Sequence, residues 1–197
     1  MAMDLRKQFV KPEGAMGWLA GHVMAMTNRE RSEWVILMLD LKPEDRVLEI
    51  GFGPGADIVR ASKQAAFIAG VDHSEVMVKQ AARRNAAAIR EGRVSLQAGP
   101  ASHLPFPDGQ FDKVFAISSA QYWKDAVGTL GEVRRVLKPQ GWCALGVQPR
   151  QKGATDDHAY HAGRGLADAM NKAGYREVHV ESRKMKPVTT VCVLGQK

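Results

Sequence analysis

Cysteine is scarce: Cys143 and Cys192 are the whole complement of a 197-residue chain. Each is flanked by apolar residues inside a stretch that reads as a strand, which suits buried thiols and excludes a disulfide framework. No two cysteines or histidines stand at zinc spacing, and His158 and His161, three apart, have no further ligand near them. Two solvated loop histidines are expected there, and no metal. Long apolar runs are missing too, so no helix spanning a bilayer is expected. Residues 1–10 hold no signal-peptide apolar core. These absences lead to the expectation of a soluble, cytoplasmic protein. There are no repeats, linkers or low-complexity tracts. With 45% hydrophobic and 25% charged residues the disordered and fibrous classes are excluded. The length suits one domain with a proper core.

Acidic residues are outnumbered, leaving a formal charge of +7. The basic pairs Arg83–Arg84 and Arg134–Arg135 and the run from Arg183 to Lys186 fall in separate segments. Each is most simply a solvated face or a helix end. The balance keeps anionic partners open without identifying a nucleic acid.

The chain is organised around Val47-Leu48-Glu49-Ile50-Gly51-Phe52-Gly53-Pro54-Gly55. Val47, Leu48 and Ile50 suit a strand covered on both faces, and the alternate glycines let backbone pass close to a bound molecule. A helix over 57–66 places this turn at a strand's carboxyl end and a helix's amino end, where open α/β sheets bind nucleotides. Gly51, Gly53 and Ala56 also satisfy the dinucleotide form G-x-G-x-x-A. A structural turn, a nucleotide cofactor and S-adenosylmethionine therefore all remain open on the glycines alone.

Upstream, residues 1–13 read as a loose arm. Leu19, Val23 and Met26, then Trp34, Met38 and Leu41, repeat at helical spacing, with Asn28 capping the second helix. These two N-terminal helices are expected to cover the open carboxyl edge of the sheet. Downstream, strands are expected at 67–71, 94–98, 113–117 and 142–147. One long helix capped by Ser74 runs to Arg90, and another covers 126–137. Residues 148–163 read as a glycine- and histidine-rich loop over the site, and 166–173 as the last helix. Strands at 177–181 and 189–194, joined without a helix, must be antiparallel neighbours. Asp72, seventeen residues after Gly55 and ending the second strand, is placed to accept hydrogen bonds from a ribose diol. Its competing reading is an acid helping Ser74 start a helix.

Four stretches in order carry a family resemblance: 47–55; Gly70-Val71-Asp72-His73-Ser74; Leu104-Pro105-Phe106-Pro107-Asp108-Gly109-Gln110-Phe111-Asp112; and Glu132-Val133-Arg134-Arg135-Val136-Leu137-Lys138-Pro139-Gln140-Gly141. Over residues 45–147 the chain resembles class I S-adenosylmethionine-dependent methyltransferases, in the subgroup that includes quinone and small-molecule enzymes. The resemblance implies a Rossmann-like, doubly wound α/β fold with a seven-stranded, mostly parallel sheet and an antiparallel last strand. It divides the single domain into an N-terminal arm with helices (1–44), a cofactor-binding core (45–147) and a closing loop, helix and hairpin (148–197).

Carried over residue by residue, the resemblance implies S-adenosylmethionine as cofactor and S-adenosylhomocysteine as product. Gly51, Gly53 and Gly55 would border the methionine part, Glu49 its ammonium, Asp72 the ribose and His73 the adenine. The acid that the family often places after the third strand is missing. Gly99-Pro100-Ala101-Ser102 stands there, so Ala101 and Ser102 are assigned to the adenine side, or the segment is only a turn. Ser118 opens 118–123 at the lip where the methyl group is presented. Tyr122 and Trp123 would attract the sulfonium, hold an apolar acceptor or anchor the next helix.

In-line methyl transfer needs positioning and desolvation more than a protein nucleophile. No acid-base set announces itself. Tyr122 and His22 are the candidate catalytic residues, with His158 and His161 as further proton acceptors, each with a competing packing or solvated role. The sequence lacks the Asn- or Asp-Pro-Pro-aromatic stretch of nucleic-acid amino methylation and the Pro-Cys pair of pyrimidine carbon methylation. The expected acceptor is a small, partly apolar molecule, with RNA or protein methylation and a non-catalytic binding module as rivals. The short 148–163 loop predicts an open site or one completed by a second subunit in a homodimer.

Overall fold

The computed structural model describes residues 29–197. The first expected helix, the Asn28 cap and His22 lie outside the described residues. Helix α1 (Arg29–Met38) is followed by β1 (Arg46–Ile50), α2 (Ala56–Ala61), β2 (Phe67–Asp72), α3 (Glu75–Arg84), α4 (Ala86–Arg90) and β3 (Val94–Ala98). Then come β4 (Phe111–Ile117), a 3-10 turn (Ala120–Tyr122), α5 (Ala126–Val136), β5 (Leu137–Val147), α6 (Asp156–Lys172), β6 (Arg176–Arg183) and β7 (Thr190–Gln196).

The strands form one seven-stranded sheet in the order β3-β2-β1-β4-β5-β7-β6. Strands β1 to β5 are parallel, and β7 is antiparallel to both its neighbours. The expected seven-stranded doubly wound sheet with an antiparallel last strand is the observed one. From β1 the chain winds outward to β2 and β3, then returns to place β4 on the other side. The crevice between the carboxyl ends of β1 and β4 is therefore the topological switch point.

Alternation along the strands sends side chains to two separate cores. Leu48, Ile50 and Val114 face Leu130, Val133, Leu166 and Met170 of α5 and α6. Val47, Ile68 and Phe115 face Trp34, Val35, Ile58 and Ala81 of α1, α2 and α3. Glu49 has the parity of Val47 and so lies on the second face. Helix α1 packs there across β4, β5 and β7, with Val35 so close to Gly146 that a Cβ at 146 would meet its methyl carbon at 2.7 Å. It thus covers a face of the sheet toward the carboxyl ends, where the sequence suggested a cover over the edge.

Four boundaries differ most from the sequence reading. The helix expected over 57–66 ends at Ala61, because the amides of Ala66 and Phe67 turn back to the carbonyl of Asp45 to start β2. The single helix expected through Arg90 breaks at Asn85, whose side-chain amide donates to the carbonyls of Gly55 (3.1 Å) and Ala81 (2.9 Å). The strand expected at 142–147 begins at Leu137 and carries a bulge: Gln140 has φ 65° and the register against β4 slips between Phe111 and Lys113.

The loop expected over 148–163 stops at 155. Helix α6 begins at Asp156, ten residues before the expected Leu166, with Thr155 and His158 forming a capping box and Asp156 and Asp157 in the first turn. Gly163 sits inside this helix because its α-carbon rides directly over Val191, leaving no room for a Cβ. The glycine reads as loop chemistry in sequence and acts as a close-packing device in space.

Candidate active site

The site is built from the loops that leave β1, β2, β4 and β5, with α1 closing one side. The turn after β1 is held by a bond from the Gly51 amide to the Val71 carbonyl (2.7 Å) and one from the Gly55 amide to the Phe52 carbonyl (3.0 Å). Gly51, Gly53 and Gly55 all have positive φ, at 74°, 52° and 74°, a conformation only glycine adopts without strain. Their surroundings differ. A Cβ at Gly51 would meet Ser119 Oγ at 2.7 Å, and one at Gly55 would meet Ala81 Cβ at 2.6 Å, whereas nothing lies within 4 Å of one at Gly53.

Beside the turn is a cavity of about 50 Å³ whose lining includes Arg31, Ser32, Glu49, Gly51, Gly53 and Ile117. The structure thus brings Glu49, Gly51 and Gly53 together and leaves Gly55 against α3, outside the lining. Glu49 is 2% exposed, and its Oε2 has no hydrogen-bond partner among the described residues. Burial, reinforced by the neighbouring Asp57 and Asp72, pushes its proton affinity well above the ordinary carboxylate range. Both oxygens of Asp57 are by contrast engaged, accepting from Ser32 Oγ (2.7 Å) and Arg60 Nη1 (2.5 Å).

Asp72 is buried at the end of β2, and its carboxylate is turned toward the glycine turn. Oδ2 accepts from the Gly53 amide (2.8 Å) and Oδ1 from the Ser74 amide (2.9 Å). Burial raises its proton affinity while these two amide bonds oppose the rise. A carboxylate has about four lone-pair positions, so two remain. His73 is half-exposed, with Nδ1 3.6 Å from Asp72 Oδ1. The segment holding Ala101 and Ser102 is tied to Asp72 through the Gly99 amide, which donates to the Asp72 carbonyl (3.0 Å). Ala101 is half-buried and Ser102 exposed.

At the end of β4, Ser118 has φ 55°. Its amide donates to the Gly146 carbonyl (2.8 Å), and its hydroxyl is buried without a partner. Ser119 Oγ donates to the Ile50 carbonyl (2.7 Å), locking this exit onto the glycine turn. Tyr122 is 56% exposed, whereas Trp123 packs against the core; of the readings open for the pair, Trp123 takes the anchor. His158 serves the cap of α6, and His161 is exposed on the same helix. No cluster of three or more potential metal ligands occurs among the described residues.

Three side chains escaped the sequence reading. Arg31, on α1, is 3% exposed; its Nη1 donates to Gln148 Oε1 (3.2 Å) and its Nε has no partner. Gln148, just past β5, is held by Nε2 donating to the carbonyls of Val188 (2.7 Å) and Lys186 (3.3 Å). Arg150 Nη2 reaches the same Gln148 oxygen at 3.2 Å. Gln148 carried one signal, its place at the carboxyl end of a strand of a doubly wound sheet. Arg31 carried none, because its burial depends on how α1 docks.

A doubly wound sheet with the 3-2-1-4-5-7-6 order, a glycine turn after β1 and an acid ending β2 defines the Rossmann-like methyltransferase scaffold. A family profile described as a methyltransferase domain matches residues 48–145. The uncharacterized methyltransferase YdaC of Bacillus subtilis is 31% identical over 181 residues, 91% of this chain and 98% of that protein. The 27-O-demethylrifamycin SV methyltransferase of Amycolatopsis mediterranei is 31% identical over 76% of this chain and 57% of its own length. Among solved structures, a SAM-dependent methyltransferase of Aquifex aeolicus superposes with a TM-score of 0.66 at 20% identity, covering 99% of each chain. The chain belongs to the S-adenosylmethionine-dependent methyltransferases, and its cofactor is S-adenosylmethionine. The residues present fit that cofactor: an unpartnered buried carboxylate at Glu49 awaits a cation, and Gly53 leaves an open cradle beside it.

Proposed function

We propose that this methyltransferase acts on a small, partly apolar acceptor, as one catalytic unit of the cytoplasm. The observation that carries the cofactor site in this reading is the unpartnered Glu49 oxygen at the switch-point cavity beside Gly53. A buried carboxylate without a partner is costly, and the ammonium of an amino-acid group relieves that cost. In this reading Gly51 and Gly53 border the methionine part, and Asp72 offers its two remaining lone-pair positions to the ribose hydroxyls. His73, with the Ala101–Ser102 turn, flanks the adenine. Gly55 serves the same turn indirectly, by letting α3 approach it.

The cofactor supplies an already activated methyl carbon. The protein's part is to hold the acceptor in line and keep water away. Tyr122, exposed just past β4, is the described side chain placed to orient the acceptor or take its proton. His22, the other candidate, lies outside the described residues. The acceptor enters over the lip formed by 118–123 and the 148–155 loop, and a second subunit is the natural cover for so open a lip. Among the described residues no helix is long and apolar enough to cross a membrane.

Incubating the protein with methyl-labelled cofactor and cell extract tests the reading. Label should pass to a low-molecular-weight compound. Transfer to RNA or protein would replace the proposed acceptor class, and cofactor binding without transfer would make the chain a binding module.

A further inference from the structure

A second hollow, of about 460 Å³, opens between α1, α2 and α3, away from the carboxyl edge of the sheet. It is lined by Arg29 and Glu33 of α1, Arg60 of α2, Lys63 just past that helix, and Arg84 at the end of α3. The rest of its lining, Ala56 and Val59, is apolar, and Ala56 is the one residue it shares with the cavity at the switch point. Its volume falls in the range of small-molecule sites, about 300–1,000 Å³.

Four cations face a single carboxylate in this lining. Glu33 Oε1 is divided between two of them, 2.7 Å from Arg29 Nε and 3.7 Å from Arg60 Nε. Asp57, behind the wall, takes Arg60 from the other side. These two acids answer two of the four positive charges. Lys63 forms no ion pair among the described residues. Arg84 Nη1 donates to a neutral group, the carbonyl of Pro54 (2.8 Å), which satisfies a hydrogen bond and leaves the charge unmet. Burial first, and then the charge of Arg60, hold the proton affinity of Arg84 below its ordinary value against the pull of Asp57. Basic groups elsewhere on the surface show the contrast: Arg135 is paired with Glu132 and Asp108, Lys138 with Asp112, and Arg93 with Glu91.

We propose that this hollow is a phosphate site, taking either the free ion or the phosphate group of a small monoester, with Arg84 and Lys63 on the phosphate oxygens. A phosphate group carries about 1.5 to 2 negative charges at neutral pH, which matches the two unanswered cations. A guanidinium has five N–H donors in a planar fork suited to phosphate, and Arg84 spends one of them on Pro54. The apolar Ala56 and Val59 offer a surface to the organic part of a monoester.

Calorimetric titration in phosphate-free, low-salt buffer, with S-adenosylhomocysteine present in excess, tests the site with inorganic phosphate and phenyl phosphate as probes. Both should bind with that ligand present and weaken as salt is added. Tighter binding of phenyl phosphate makes a phosphorylated small molecule the occupant, and equal binding makes it the free ion. Arg84→Gln should lose about 10-fold in affinity for either probe, the size of one hydrogen bond to a charged group. Lys63→Ala should lose about 2- to 5-fold, as an exposed ion pair does. Lys63 is exposed, so Lys63→Glu should fold normally, keep wild-type affinity for S-adenosylhomocysteine and bind neither probe. No binding of either probe to the wild type, wild-type affinity in Lys63→Glu, or displacement of the probes by S-adenosylhomocysteine would overturn the site. An RNA oligonucleotide that binds here, is lost in Lys63→Glu and is not displaced by either probe would overturn it in favour of a nucleic-acid surface.

Discussion

Gly53 and Gly55 belong to one turn and share the left-handed conformation, yet substituting each with alanine should have different consequences. At Gly55 the new Cβ meets Ala81 Cβ at 2.6 Å and Ala81 Cα at 2.9 Å, with the Asn85 side-chain nitrogen also at 2.9 Å. None of these is the free end of a flexible chain, so α3 must move. The left-handed conformation costs a non-glycine residue roughly 1–2 kcal/mol, and overpacking typically adds about 1–3 kcal/mol. Gly55→Ala should therefore destabilise the fold by about 2–5 kcal/mol, roughly 4–20 °C in Tm for a chain of this length. At Gly53 nothing lies within 4 Å of the added carbon, so only the conformational cost of about 1–2 kcal/mol applies. In the proposed reading the same carbon intrudes on the cofactor cradle. Gly53→Ala should lose about 2–8 °C in Tm and most of its cofactor affinity. Gly53→Asn, which tolerates the left-handed region better, should recover stability without recovering binding. Scanning calorimetry of the free proteins, followed by titration with S-adenosylhomocysteine, reads both effects. Equal melting temperatures for the two alanine variants, or wild-type affinity in Gly53→Ala, would refute this division of labour.

Other outcomes can be checked directly. Glu49 has its proton affinity raised in the free protein by burial and then by Asp57 and Asp72. Pairing with an ammonium requires the carboxylate, so binding should release a proton and strengthen as pH rises toward the free-state pKa; calorimetry in buffers of different ionisation enthalpy should show this, and Glu49→Gln should abolish it. The same raised pKa means that the folded state holds a proton the unfolded chain gives up above its lower pKa. Glu49 therefore withdraws stability as pH rises through that interval, and Glu49→Gln should melt higher than wild type at neutral pH. Gly163→Ala gains about 1 kcal/mol of helix propensity, yet its methyl group collides with Val191; a net loss of about 1–2 kcal/mol should appear in denaturant titration, and Val191→Ala should relieve it. Burial pushes both thiols up, Cys192 to about 12, so neither cysteine should react with a disulfide reagent until the protein is unfolded.

The strands were legible because their residues carry the period of the sheet and end at residues with their own turn chemistry. Val47 to Gly55 shows this within nine residues: an apolar run broken by one acid near the strand's end, then glycines that the structure places in the left-handed region. The antiparallel hairpin was legible from the shortness of its connection. What failed were places where one residue type serves two purposes. Gly163 looked like loop and is a helix residue over Val191. Asn85 sits in an alanine-rich run that favours one continuous helix, but its side chain reaches thirty residues back to the Gly55 carbonyl. Thr155 and His158 make a capping box with histidine where glutamate is the usual signal. At the site, the glycines, Glu49 and Asp72 stand in one continuous stretch or at strand ends and could be read. Arg31 could not, because its partner Gln148 is 117 residues away.

The acids around the glycine turn show how the fold concentrates unmet demand at one place. Asp57 and Asp72 both act on Glu49 to raise its proton affinity, and three carboxylates so placed would repel if all were charged and unpaired. Asp57 escapes through Ser32 and Arg60, and Asp72 through the Gly53 and Ser74 amides. Only Glu49 is left with an unanswered oxygen, on a strand whose other inward positions are Val47, Leu48 and Ile50, all buried. For stability alone an apolar residue would serve better at position 49, since a buried polar group without its bond costs about 1–3 kcal/mol. Arg31, buried in the lining of the same cavity, likewise leaves its Nε without a partner among the described residues. A fold that engages both oxygens of each neighbouring acid while leaving this one acid oxygen unanswered has placed a costly feature where a cationic group would remove its cost.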